Sequence, residues 1–126
     1  MFRKRSKEIL AKLEGRETIR ISNGANFFGQ ESLKLKQVRG NGVLVLTPEE
    51  LYFEMWVPKR ICQIPIINII DIEVTKWHLK KTKNRNLLKI IFTNLSGEID
   101  SAAWLINDLD FWINDIRDLI NRKKEN

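Results

Sequence analysis

Apolar residues repeat at every second position along most of this chain and change to a broad helical spacing only near its C-terminus. That single change of period constrains the fold more than any other feature. Leu109, Trp112, Ile113, Ile116, Leu119 and Ile120 form one apolar stripe, wide enough to cover a face of a sheet or a mouth of a barrel. Asn107 is placed to cap this helix. Asp108 and Asp110 fall in its first turn and Arg122, Lys123 and Lys124 at its far end, so the charges complement the helix dipole.

The segments before it alternate. Ile19 and Ile21 oppose Thr18, Arg20 and Ser22. Phe27 and Phe28 then sit between Gly24 and Gly29, a pattern that fits either a bulged strand or the start of a long loop. Leu33 and Leu35 alternate with Lys34 and Lys36, the run from Arg39 to Gly42 predicts a tight hairpin turn, and Val43 to Leu46 the return strand. Thr47-Pro48-Glu49-Glu50 matches a helix capping box. Leu51, Phe53, Met55 and Val57 alternate directly after it, so a turn between strands is predicted instead. Pro58 to Arg60 make a further turn, and Cys62, Ile64 and Ile66 point inward with Pro65 marking an edge. Ile70, Ile72 and Val74, then Leu88, Ile90 and Phe92, give two more inward rows on either side of a polar loop at 80–86. Asn94 to Gly97 close a hairpin, and Ile99 to Trp104 form the last strand. At the N-terminus Ser6 and Gly15 bracket a short helix with Ile9, Leu10 and Leu13 on one face. The expected organisation is a helix in 1–15, a mainly β domain over 16–121 that includes the helix 107–121, and a basic tail at 122–126.

With 126 residues, 43% of them hydrophobic and 30% charged, the chain suits one globular domain. No apolar run approaches the roughly 20 residues that span a bilayer. No signal-peptide core follows the basic start, so a cytoplasmic location is expected, with peripheral membrane contact left open. A single cysteine, Cys62, excludes an intrachain disulfide, and its apolar alternation predicts a buried thiol rather than a nucleophile.

Most site chemistries fail at named residues. One His and one Cys without paired spacing assign no metal, and no cofactor is implied. The Gly24 to Gly29 spacing is that of a phosphate loop, but Gln30 and Glu31 stand where Lys and Ser or Thr are required. Asp100, Asp108, Asp110, Asp115 and Asp118 are read as solvated acids on or near the last helix. No enzyme activity is expected, and a small hydrolase would need His78 in a deep pocket.

The net charge of +6 directs attention to anions. Lys34, Lys36 and Arg39 form one basic set. Lys76, His78, Lys80, Lys81, Lys83 and Arg85 form a denser one, beside the amphipathic ring of Trp77. A solvated hairpin tip explains the same lysines without any ligand.

Residues Gly42-Val43-Leu44-Val45-Leu46-Thr47, Leu51-Tyr52-Phe53, Ile64-Pro65-Ile66 and Ile69, with Trp112 in the final helix, resemble the PH-like superfold in its GRAM and bacterial PH-like form. The resemblance implies a bent antiparallel sheet or partly open barrel of about seven strands capped by the C-terminal helix, and a module that binds phosphoinositides or proteins. Lys34-Leu35-Lys36-Gln37-Val38-Arg39 is similar to the family's lipid-binding motif, with Arg39 displaced by one residue and so reversed in direction on a strand. An anionic membrane surface or an acidic protein is the expected partner. The alternative is single-stranded nucleic acid stacked on Trp77 and Tyr52. Self-association stays open through the Pro65 edge and an exposed Trp56.

Overall fold

The computed structural model describes residues 2–12, 15, 17–32, 40–76 and 85–125. Seven strands, β1 (Arg20–Gln30), β2 (Gly40–Leu46), β3 (Glu50–Met55), β4 (Ile61–Pro65), β5 (Ile69–Thr75), β6 (Leu87–Thr93) and β7 (Ile99–Leu105), lie between helix α1 (Phe2–Lys12) and helix α2 (Leu109–Glu125). They form one open sheet in the order β4-β3-β2-β1-β7-β6-β5, with every neighbouring pair antiparallel. The mainly β fold expected from the alternation is therefore present, with β4 and β5 as its edges.

Period-two patterning explains which face is buried. Leu44, Leu46, Leu51, Phe53, Cys62, Ile64, Ile72, Leu88, Ile90, Phe92 and Trp104 point to one side and share a core with Trp112, Ile113, Ile116 and Leu119 of α2. This core draws side chains from both edge strands, so the sheet curves round it. Phe27, Phe53 and Trp104 stand at its centre, with ring centroids 5.0 to 5.8 Å apart. Arg20 fastens α2 to the start of β1 through an ion pair with Asp115, and its guanidinium lies 5.0 Å above the Phe111 ring. On the opposite face, Ile9 and Leu10 of α1 cover Val43, Val45 and Tyr52.

Several expectations are corrected. Ser6 does not start α1 but lies inside it, buried, because its hydroxyl donates to Oδ1 of Asn23 on β1 at 2.8 Å. Gly40 to Gly42 belong to β2 rather than to a turn. Glycine is required at 42 by the close approach of β3, where an added Cβ would press on the backbone of Glu54 and Met55. Residues 24–30 continue β1, with register shifts at Gly24 and Phe28 that send Phe27 into the main core and Phe28 into a cluster with Leu87 and Ala103. Ile70 and Val74 are exposed, since β5 has a bulge after Ile69 and no neighbour on its outer side. Val57 is exposed as well because β3 ends at Met55, and Trp56 is half-buried against the α1 cluster. Helix α2 begins one residue after Asp108, whose carbonyl accepts the Trp112 N–H at 3.1 Å, and runs to Glu125, so most of the expected basic tail is its last turn. As predicted, Thr47 makes a turn: its Oγ1 accepts the amides of Glu49 and Glu50.

Candidate functional site

Three hairpin ends meet at one end of the bent sheet: the close of β1, the β3–β4 turn and the β6–β7 turn. The β3–β4 turn carries a cis Val57–Pro58 bond. It is closed by the Met55 N–H donating to the Arg60 carbonyl at 2.8 Å and braced by the Trp56 N–H on the Asn41 carbonyl at 3.0 Å. Lys59 and Arg60 project from it into solvent beside exposed Val57 and Ile61. In the β6–β7 turn the Asn94 side-chain oxygen accepts the amides of Ser96 and Glu98 at 3.0 and 3.1 Å. Those bonds hold Leu95 at the tip, fully exposed.

Beneath these turns lies a buried polar node. Asp100 is 2% exposed. It accepts hydrogen bonds from Gln30 Nε2 (2.7 Å), the Ser32 amide (2.9 Å), the Ser101 amide (2.8 Å) and Asn94 Nδ2 (3.4 Å). Burial alone raises the Asp100 carboxyl, but the bonds from Gln30, Ser32 and Ser101 outweigh it and hold the group below the usual carboxylate value. Asp100 is thus a structural carboxylate and not one of the solvated acids expected from sequence. Cys62 is buried, as predicted. Burial first, then the Asp100 charge, push its thiol up to about 12, which keeps it protonated.

Two cavities flank Cys62. One, of about 300 Å³, lies between Phe27, Phe53, Pro58 and Ile61, with Lys59 and Arg60 at its rim. The other, of about 350 Å³, is bounded by Gln30, Ser32 and the β6–β7 turn.

Of the residues predicted from sequence, Lys76 and Arg85 are brought together. Both are exposed and line a cleft of about 460 Å³ at the other end of β6, shared with Asn107 and Asp108 before α2. The Asp108 carboxylate offsets part of their charge. Trp77, His78, Lys80, Lys81 and Lys83 lie outside the described residues, as do Lys34, Lys36 and Arg39, which connect Ser32 to Gly40. Tyr52, proposed as a stacking surface, is buried beneath α1 with its hydroxyl donating to Glu54 at 2.6 Å. Lys59, Arg60 and Leu95 were not singled out from sequence, although two adjacent cations beside a turn proline were a visible signal. Leu95 carried none, because only the Asn94 turn decides that it points outward.

Among the described residues, no group of His, Cys, Asp and Glu is placed to hold a metal ion, and no helix is long and apolar enough to cross a membrane.

No protein-family model matches the chain, and no curated protein does. Similar folds are found among solved structures. The C-terminal domain of an unknown protein from Leishmania infantum superposes with a TM-score of 0.64 at 12% identity, over 95% of this chain and 98% of that one. A chain of the 8S snRNP assembly intermediate gives 0.57 at 9% identity, over 83% of this chain and 80% of that one. At such identities the likeness extends to the fold and no further.

Proposed function

We propose that this chain is a non-enzymatic binding module of the PH/GRAM-like kind whose hairpin end meets an anionic membrane surface. One observation carries the reading: Lys59 and Arg60 project from the same end of the sheet as exposed Val57, Ile61 and Leu95. Scattered exposed aliphatic residues are ordinary. A cationic turn with aliphatic side chains around it instead suits the membrane interface, where each cation gains about 1 kcal/mol near anionic lipid and the apolar tips leave water. Among the described residues, the Lys76–Arg85 cleft is less suited, with Asp108 in its wall and no exposed aliphatic residue along its lining.

Co-sedimentation with phosphatidylcholine vesicles, with and without phosphatidylserine and across salt concentrations, tests the proposal. Binding is expected only to the anionic vesicles, weakening as salt screens the charges. Lys59→Glu with Arg60→Glu, and separately Leu95→Asp, are expected to abolish it without lowering the thermal midpoint. Retention of binding in those variants, together with its loss in Lys76→Glu with Arg85→Glu, would move the site to the other cleft. Binding of single-stranded nucleic acid or an acidic protein without any vesicle binding would reject the membrane reading.

A further inference from the structure

We infer that the cavity beneath the β3–β4 turn binds the apolar chain of a medium-length amphipathic anion, with the anionic head held at the Lys59–Arg60 rim. The inference rests on the proposed function for the role of that rim, and adds a binding site at the hairpin end of the sheet. At about 300 Å³ the cavity reaches the lower bound of small-ligand sites. Its accessible apolar lining comes mainly from Pro58 and Ile61; Phe27 and Phe53, core rings that are 4% and 1% exposed, form its floor, and Gln30 also lines it. Ile61 is 48% exposed, so the wall it forms is also the doorway.

The charges set the orientation. At the deep side, the node around Asp100 carries a negative charge, and its four donors are already engaged, so it repels an anionic head and offers it no hydrogen bonds. Cys62, which lines the cavity beside Gln30, is a protonated thiol whose Sγ donates weakly to Gln30 Oε1 at 3.8 Å. At the open side stand two cations. An anion with an apolar tail therefore enters tail first, the tail along Pro58 and Ile61 above the Phe27–Phe53 floor and the head at Lys59 and Arg60. A polar anion such as inorganic phosphate fits only the rim.

Titration calorimetry with hexanoate, octanoate and decanoate below their micellar concentrations tests this, with octanol as the neutral counterpart. Affinity is expected to rise about fourfold per added CH₂, from roughly 0.8 kcal/mol for each buried methylene, until the cavity is filled. Octanol should bind at least tenfold more weakly than octanoate. Lys59→Glu with Arg60→Glu should weaken octanoate at least tenfold, and Ile61→Trp, which fills the doorway from a half-exposed edge position, should abolish uptake while the thermal midpoint holds. Absence of saturable uptake of any of the acids, or uptake that Ile61→Trp leaves unchanged, overturns the inference. Phosphatidylserine vesicles identify the source: if Ile61→Trp also loses them, the chain is drawn from membrane lipid, and if it keeps them, the ligand is a free acid. Acid uptake by a protein that binds no vesicles would reject the membrane reading alone.

Discussion

Lys12 Nζ lies 3.0 and 3.2 Å from the two carboxylate oxygens of Glu54, a residue 42 positions away that is fully buried near the end of β3. The pair ties the last turn of α1 to the outer face of the sheet, and the Tyr52 hydroxyl donates to the same carboxylate. Removing the cation alone leaves a buried charge without its counter-ion, the costly direction for such pairs. Lys12 is itself 46% exposed, so water partly compensates. Lys12→Met is therefore expected to cost about 1–2 kcal/mol in urea denaturation. Adding Glu54→Gln should recover part of that loss, because a neutral amide needs no cation. A double variant as unstable as the sum of its singles would show that the two residues act independently.

This pair also marks where sequence reading stops. Alternation at Leu51, Phe53 and Met55 placed β3 and its inner face correctly, because burial on one side imposes the period. The same period assigns Glu54 to solvent, and only the docking of α1 turns that outer face into a second buried layer. Tyr52 and Trp56 were read as exposed for the same reason. The candidate site divides similarly. Lys59 and Arg60 were legible as a turn after Pro58, whereas the union of that turn with Leu95 and the Asp100 node depends on sheet curvature, which joins segments some 35 to 40 residues apart and leaves no local pattern in the chain.

The acid limb of stability should carry the signature of Asp100. Its folded-state value is lowered, so the stabilisation is fully present above the ordinary value of 3.8 and is lost as pH falls through the lower folded value. Asp100→Asn replaces an acceptor-only group by one that meets the Gln30 and Asn94 amides with a donor. We expect a loss of about 1–3 kcal/mol at neutral pH. Denaturation at stepped pH should then show the gap between the two proteins closing below pH 3.8. A gap that persists unchanged into strong acid would contradict the role assigned to the carboxylate.

Cys62 gives the complementary alkaline test. Its thiol is raised from 9.0 to about 12, so the stabilisation it brings is present below pH 9.0 and declines as pH rises toward 12. Near neutrality the thiolate fraction is about a thousandfold below that of an ordinary cysteine, and labelling by a disulfide reagent should be slower than in the urea-unfolded chain by at least that factor. Part of the shift comes from Asp100, so Asp100→Asn should accelerate labelling of the folded protein. Equal rates in the folded and unfolded states would place the thiol at the surface.

Two glycines of β2 should respond very unequally to the same substitution. At Gly42 an added Cβ would meet the Glu54 carbonyl oxygen and would lie 2.7 Å from Met55 Cα and 2.9 Å from the Glu54 carbonyl carbon, all backbone of the paired strand. Neither residue can yield without separating β2 from β3 and shifting Glu54 away from Lys12. At Gly40 the nearest atom is Met55 Sδ at 3.0 Å, the flexible end of a side chain that can rotate away. Gly42→Ala is therefore expected to destabilise by about 3 kcal/mol or more, and Gly40→Ala by less than about 1 kcal/mol. Thermal midpoints of the two variants measured side by side check the contrast. If Gly42→Ala is tolerated as well as Gly40→Ala, the β2–β3 spacing is looser than described. The support that this pair of strands gives to the Lys59–Arg60 turn would then be weaker too.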